Sequence, residues 1–369
     1  MEKKTVYNFS AGPCILPKEV LQRAADEMMD WHGTGLSVLE MSHRGKAFVS
    51  IAEKTYADLR KLMNIPEDFT IMMLQGGASQ QFAAIPLNVL PDGGKANYVT
   101  TGQWSEGAIK DAKKYIEVTE CTNNKDLKFT GVASQDTWKV DPDAKYVHYC
   151  ENETIVGVEF TDNFPFEKFA GQLVICDMSS NFCSRPVDWS KYDVVYAGAQ
   201  KNVGPSGCTI VIVKNHLLQQ RPSKICPVTL EWDTFAKAAT RFHNTPCCYA
   251  VYMAGLNIEH MLEKGGIPAM EKLANERSQK FYDYLDNSGG YYTNNVDKAF
   301  RSRMNIPFRV KCNDDLEKKF VAEAAAEGLV DLAGHRSIGG CRASMYNAMP
   351  IEGVDALIAF CEKFKAANP

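Results

Sequence analysis

No stretch of this chain approaches the roughly 18 to 20 consecutive apolar residues that a membrane span requires. Its first residues, MEKKTVYNFSAGP, hold no apolar run of the kind a secretory leader carries. A membrane-spanning or exported protein is not expected, and a cytoplasmic one is. Excess positive charge is absent too: 41 Lys and Arg stand against 45 Asp and Glu, a formal net charge of −4. That balance gives no electrostatic footing for nucleic acid or an acidic membrane, so any anion must be held by a local arrangement. No two cysteines have C-x-x-C spacing, and the adjacent Cys247 and Cys248 cannot readily close on one ion, so no metal is expected. Internal repeats, low-complexity tracts and long Gly/Ser linkers are missing as well.

What is present describes a folded chain. Hydrophobic residues make up 45% and charged residues 23%, the balance of a globular protein. The 12 cysteines include Cys176 in LVICDM and Cys208 in GCTIVIV, apolar runs in which a thiol packs as a small hydrophobe and stays reduced. A length of 369 residues exceeds what one core usually serves, which favours two domains or one large domain with an appendage. From about residue 17 to 255 helical patterns alternate with short β-rich runs, the signature of βαβ units and a largely parallel sheet. PKEVLQRAADEMMDW reads as an early amphipathic helix. Strands are expected at 69–75, 95–100, 145–150, 172–179, 193–199 and 207–215, each apolar enough to be buried on both faces. After a long helical stretch ending at Gly289 and Gly290, the pattern changes to FRSRMNIPFRV, a helix over 314–327, the strand-like CRASMYN and a last helix from 353. That region reads as a smaller α+β unit.

Three segments carry chemistry. DVVYAGA runs into QKNVGPSG, which puts Lys201 just after a buried strand, where open α/β sheets bind ligands. A lysine buried there has a depressed pKa and can form a Schiff base with an aldehyde; a surface turn lysine is the plainer alternative. Asp177 lies within the apolar run QLVICDMSS, where an unpaired carboxylate is costly and calls for a cation such as a pyridinium nitrogen. Capping of a loop at the strand end is its plainer alternative. LQGGASQQFAAIPLNVL places Gly76 and Gly77 between a strand and a helix starting near Ala78 and Ser79, so that free backbone N–H groups can meet a phosphate. It lacks the spaced glycines of a dinucleotide fingerprint.

Together these segments resemble the fold-type I pyridoxal-phosphate enzymes and their class V branch. NFSAGPCILPKEVL, MSHRGKAF, GGASQQFAAIPLN, TGQWSEGA, DMSSNFCSRPVDW, YAGAQKNVGPSG, NTPCCYAVY and GHRSIGGCRASMYNA are similar, in order and over essentially the whole chain, to the phosphoserine aminotransferase family. The resemblance implies that Lys201 holds the cofactor, pyridoxal 5'-phosphate, as a Schiff base and then shuttles protons, while Asp177 pairs with the pyridinium nitrogen. It implies that Trp104 stacks on the ring, that Ala78, Ser79 and Gln200 hold the phosphate, and that Thr154 lies near the ring hydroxyl. Asn244 and Thr245 resemble the pair that reaches the phosphate from the other subunit of a homodimer, although NTP alone reads as a turn. His43, Arg44, His335, Arg336 and Arg342 are implied in binding the substrates L-glutamate and 3-phosphohydroxypyruvate. Each taken alone is an ordinary solvated charge, but two His-Arg pairs and a strand arginine suit a substrate with a carboxylate and a phosphate.

The expected architecture is therefore α/β. A large cofactor-binding domain of residues 15–258 holds a mostly parallel sheet flanked by helices, and residues 1–14 with 259–369 form a smaller α+β domain. The implied reaction yields O-phospho-L-serine and 2-oxoglutarate. Two rivals stay open at this point: another class V enzyme, such as a serine–glyoxylate type aminotransferase or a cysteine desulfurase, and a phosphate-binding domain without catalysis. A desulfurase needs a reactive cysteine on a flexible loop, whereas Cys341, beside Arg342, sits in a strand-like segment.

Overall fold

The computed structural model describes residues 5–369. Its centre is a seven-stranded sheet built from β1 (Phe69–Leu74), β2 (Lys95–Thr100), β3 (Glu117–Asn123), β4 (Tyr146–Cys150), β5 (Leu173–Asp177), β6 (Val194–Gly198) and β7 (Thr209–Lys214). The order in space is β1-β7-β6-β5-β4-β2-β3. Neighbours run parallel except at β7, which is antiparallel to both β1 and β6. The sheet is thus mostly parallel, as the apolar runs suggest.

Those runs are continuous because both faces are covered. Successive side chains alternate faces, so Val194 and Tyr196 join Ile175 and Tyr98 in the core on one side. Val195 and Ala197 join Cys176 and Tyr149 in the core on the other. Strand β3 is the one that apolar continuity does not reveal: EVTECTN alternates with Thr and Glu, and its outer position at the sheet edge, paired only with β2, leaves Glu117, Thr119 and Glu120 at least partly exposed.

Helices α1 (Lys18–Asp26), α2 (Lys46–Met63), α3 (Gly77–Val89), α4 (Gln103–Ala112), α5 (Cys248–Glu263) and α6 (Gly266–Asp286) pack around this sheet. In α2 the buried positions Phe48, Ile51, Ala52, Tyr56, Leu59 and Leu62 recur at helical spacing and form the apolar stripe. Arg60 and Lys61 complement its negative end, and Asn64 closes it with a left-handed φ of 51°. The first helix is shorter than its sequence pattern, stopping at Asp26.

A second sheet, antiparallel and ordered β8-β9-β10, is formed by Tyr292–Thr293, Asn305–Val310 and Cys341–Ser344. Helices α7 (Asp314–Ala326) and α8 (Ile351–Ala367) cover it, and Phe281, Phe308, Phe320, Phe360 and Phe364 fill a core of their own. Phe9, fully buried, belongs to that second core. Helix α6 serves both: Ile267 and Met270 pack in the first core, Phe281 and Leu285 in the second. Of the segment expected to join the smaller domain, residues 1–4 lie outside the described residues.

All twelve cysteines are free, and only Cys247 and Cys312 are exposed. Among the described residues no helix is long and apolar enough to cross a membrane.

Candidate active site

Asp177 is the last residue of β5, in register with Cys150 on β4 and Tyr196 on β6. It is buried, and its Oδ1 accepts the Ser179 backbone N–H at 2.8 Å. Burial pushes its pKa up, opposed by the hydrogen bonds from Ser179 and by the charge of Lys201. On the same face, the Tyr196 hydroxyl is 2.9 Å from His148 Nε2. Burial lowers the His148 pKa to about 3, so the ring is neutral.

Lys201 follows β6 by three residues, and the loop turns its side chain inward until it is only 8% exposed. Its Nζ donates to Thr154 Oγ1 at 2.8 Å and lies 5.6 Å from the centre of the Trp104 ring. Burial lowers its pKa, against the opposite pull of Asp177. Burial thus shifts this lysine toward the neutral amine, the form that attacks a carbonyl.

Both groups line one cavity of about 270 Å³ at the carboxyl ends of the strands, together with Ala78, Ser79, Trp104, Thr154, Gln200, His335 and Arg342. One wall is the start of α3. Gly76 and Gly77 hold φ of 89° and 69°, and a Cβ on Gly76 would fall 1.4 Å from Gln80 Oε1. No side chain caps this helix, so its first N–H groups are free for an anion. The opposite wall comes from the second sheet. Arg342 on β10 donates through Nη1 to the Thr154 carbonyl at 3.4 Å, and its Nε, buried, has no partner. Burial lowers the pKa of this guanidinium, and its unmet donor capacity suits a planar carboxylate. His335 holds Ser337 Oγ at 2.7 Å through Nδ1. Burial lowers the His335 pKa, helped by Arg342 and Arg336.

The other expected residues lie apart from this cavity within the single chain. Arg336 is exposed beside His335. His43 is buried with Nε2 unpartnered, and Arg44 is exposed, on the turn before α2. Asn244 and Thr245 are exposed on the loop before α5. That loop is moored beside the α3 glycines, since Gln75 Nε2 donates to the Thr245 carbonyl at 2.8 Å.

Several neighbours of the site leave little or no mark in the sequence. Ser179 steadies Asp177, and a Ser two residues after an Asp is a legible turn signal. Gly12 approaches so closely that a Cβ there would lie 3.2 Å from Lys201 Cγ. No local pattern announces that contact, which joins residues far apart in the chain.

A buried amine, a buried carboxylate with room for a cationic ring nitrogen, an aromatic face and an open helix start form a donor set for a flat pyridine aldehyde that carries a phosphate. The comparisons with known proteins agree. The family model for class-V aminotransferases matches residues 6–357. The phosphoserine aminotransferase of Janthinobacterium sp. (strain Marseille) is 50% identical over 368 residues, covering 98% of this chain and 99% of that protein. The solved phosphoserine aminotransferase of Bacillus circulans subsp. alkalophilus superposes with a TM-score of 0.94 at 41% identity, covering 99% of each chain. A pyridoxal-phosphate-bound phosphoserine aminotransferase from Trichomonas vaginalis gives 0.91 at 39% identity, covering 97% of this chain and 99% of that one. The chain belongs to the class-V aminotransferases and, within them, to the phosphoserine aminotransferase family.

Proposed function

We propose that this chain moves the amino group of L-glutamate to 3-phosphohydroxypyruvate, giving O-phospho-L-serine and 2-oxoglutarate, with pyridoxal 5'-phosphate as cofactor. The observation that carries the reading is the convergence of Lys201, Asp177, Trp104, Arg342 and the open start of α3 on one cavity. When bound, the cofactor supplies a cationic ring that accepts the electrons left as a substrate α-proton departs.

The chain's own residues do the rest. Asp177 keeps the ring nitrogen protonated, and Trp104 covers a ring face. Ala78, Ser79 and Gln200 hold the phosphate, and Thr154 serves the ring hydroxyl. Lys201 Nζ would hold the cofactor's aldehyde carbon and, as a free amine, would take and return the substrate α-proton. Arg342 holds the α-carboxylate common to every substrate, while His335 and Arg336, with His43 and Arg44, take the distal anion. Glutamate and the oxo acid use the same pocket in turn, so the kinetics are ping-pong.

Among class V chemistries, a desulfurase needs an activated thiol. Cys341 is 1% exposed in β10, and Cys150, in the cavity wall, is buried; burial raises both thiol pKa values. Both stay protonated, so this site favours transamination. An amino-acceptor panel with glutamate as donor tests the reading. Fast turnover of phosphohydroxypyruvate and slow turnover of glyoxylate support it; the reverse order defeats it.

Specificity makes a sharper test. Arg342→Ala is expected to weaken glutamate and phosphohydroxypyruvate alike, by roughly 1.5 to 3 kcal/mol, or about tenfold to hundredfold in kcat/KM. Arg336→Ala is expected to hurt substrates with a distal anion and spare pyruvate. Equal losses for phosphohydroxypyruvate and pyruvate would remove Arg336 from the phosphate site.

The reading includes a homodimer of cytoplasmic location, with Asn244 and Thr245 crossing to the partner's phosphate site. Two facts support it: Asn244 and Thr245 are exposed and do not line their own chain's cavity, and Met29, Leu39 and Ile225 are unusually exposed apolar side chains. Mixing inactive Lys201→Ala subunits with an inactive Asn244/Thr245 double mutant is expected to restore part of the activity, since one site in each hybrid is intact. Hybrids that form but stay inactive would confine every cofactor contact to one chain. The domain division at residues 14 and 258 belongs to the same proposal, with Phe9 in the second core as its support.

A further inference from the structure

We propose that Glu153 is a positioning residue, whose carboxylate fixes the start of α4 and thereby holds Trp104 against the cavity. Glu153 is fully buried and stands beside Thr154 on a short ribbon in which Asn152–Glu153 pairs with Val158–Glu159. Its Oε2 accepts the Trp104 backbone N–H at 3.1 Å. Its Oε1 accepts the Ser105 N–H at 2.9 Å and the Ser105 hydroxyl at 2.6 Å.

These are donors that a helix start leaves unsatisfied. Helix α4 has no capping side chain of its own at Gly102, so the cap arrives from 49 residues away as a carboxyl group at the positive helix end. Gly102 shows how closely this cap is fitted. Its backbone is extended, which any residue adopts, but a Cβ there would lie 2.5 Å from the Glu153 carboxyl carbon. Ser105 ties the knot further by accepting the Thr101 and Gly102 N–H groups at 2.9 and 3.1 Å. The three donors on Glu153 oppose the burial that raises its pKa to about 7.

The consequence falls on Trp104 itself and on the residue next to Glu153. Trp104, whose amide is clamped, sets its ring 5.6 Å from Lys201 Nζ. Thr154, next to Glu153, takes the hydrogen bond of that same amine. One carboxylate therefore sets the distance between two walls of the cavity, although it does not line the cavity itself. The proposal rests on the reading of Trp104 as the residue that covers the cofactor ring.

Glu153→Gln tests it, because the amide keeps the volume but turns an N–H₂ toward one of the helix N–H donors. Amide hydrogen exchange is measured for protein loaded with pyridoxal phosphate and for protein stripped of it. The expected result is exchange at least about tenfold faster at Trp104 and Ser105, with strands β5 and β6 unchanged. The cofactor dissociation constant is expected to rise about tenfold. Combined with Trp104→Ala, this loss should largely vanish, because both changes act through one side chain. Unchanged exchange at α4, a general rise that includes β5 and β6, or losses that simply add would each overturn the proposal. A chain that takes up no pyridoxal phosphate would defeat the functional reading, while the exchange arm still judges the clamp.

Discussion

Lys201→Ala is expected to leave a folded protein that still takes up pyridoxal phosphate, but with transamination lowered by about ten-thousandfold or more. Positioned proton transfer alone contributes roughly 10²- to 10⁴-fold, and here the same nitrogen is also the covalent anchor. Its 2.8 Å contact with Thr154 and its burial explain why no neighbour can substitute. The Cys150 thiol, which lines the same cavity, is held protonated by burial. Borohydride treatment should leave the variant's cofactor removable by dialysis, whereas the parent keeps it covalently. Turnover within tenfold of the parent would remove Lys201 from the chemistry.

The second large effect concerns Asp177. Replacing it with Asn keeps an oxygen for the Ser179 N–H and keeps the shape, but removes the charge that holds a proton on the ring nitrogen. A loss of roughly a hundredfold in kcat is expected, the upper end for a charge-assisted contact. Stability should move the other way in protein free of cofactor. Burial raises the folded-state pKa of this carboxyl above its unfolded value. Its ionisation therefore costs stability that is lost as pH climbs from roughly 4 upward. The Asn variant escapes that cost, so its Tm without cofactor should match the parent in acid and exceed it at neutral pH. A slow variant that is also less stable at neutral pH would mark Asp177 as structural.

Those opposite signs describe what the sequence could and could not convey. Strands β1, β2, β4, β5, β6 and β7 are legible because burial on both faces writes an unbroken apolar run into each. β3 is not, since an edge strand with one neighbour tolerates Glu117, Thr119 and Glu120. That β7 runs against its neighbours leaves no mark in its own composition, because an apolar strand reads alike in both directions. Within the site, Lys201 and Asp177 stand out as charges stranded in apolar surroundings, and Gly76-Gly77 as a break before a helix. Arg342 reaches the cavity from the second sheet, His335 from the loop before β10 and Trp104 from α4, so no spacing rule connects them to Lys201; only resemblance does. Glu153 was missed for a similar reason. Its partners are 48 and 49 residues distant, and a Glu in NETIV looks like any polar residue before a turn.

The segment from Phe9 to Cys14 runs from the second core directly onto the site. Phe9 is sealed in the second core, the Ala11 carbonyl takes the Tyr346 hydroxyl at 2.7 Å, and Gly12 lies over Lys201. Cys14 then closes on the backbone carbonyls of Gln200 and Lys201. Six residues thus act as a short strap with one end bolted to each body of the molecule. In a genetic screen for impaired enzyme, substitutions at Phe9 or Tyr346 would appear among those of the catalytic loop. Their distance from the chemistry would mislead anyone who sorts alleles by proximity, for the strap makes the packing of one body a setting of the amine in the other.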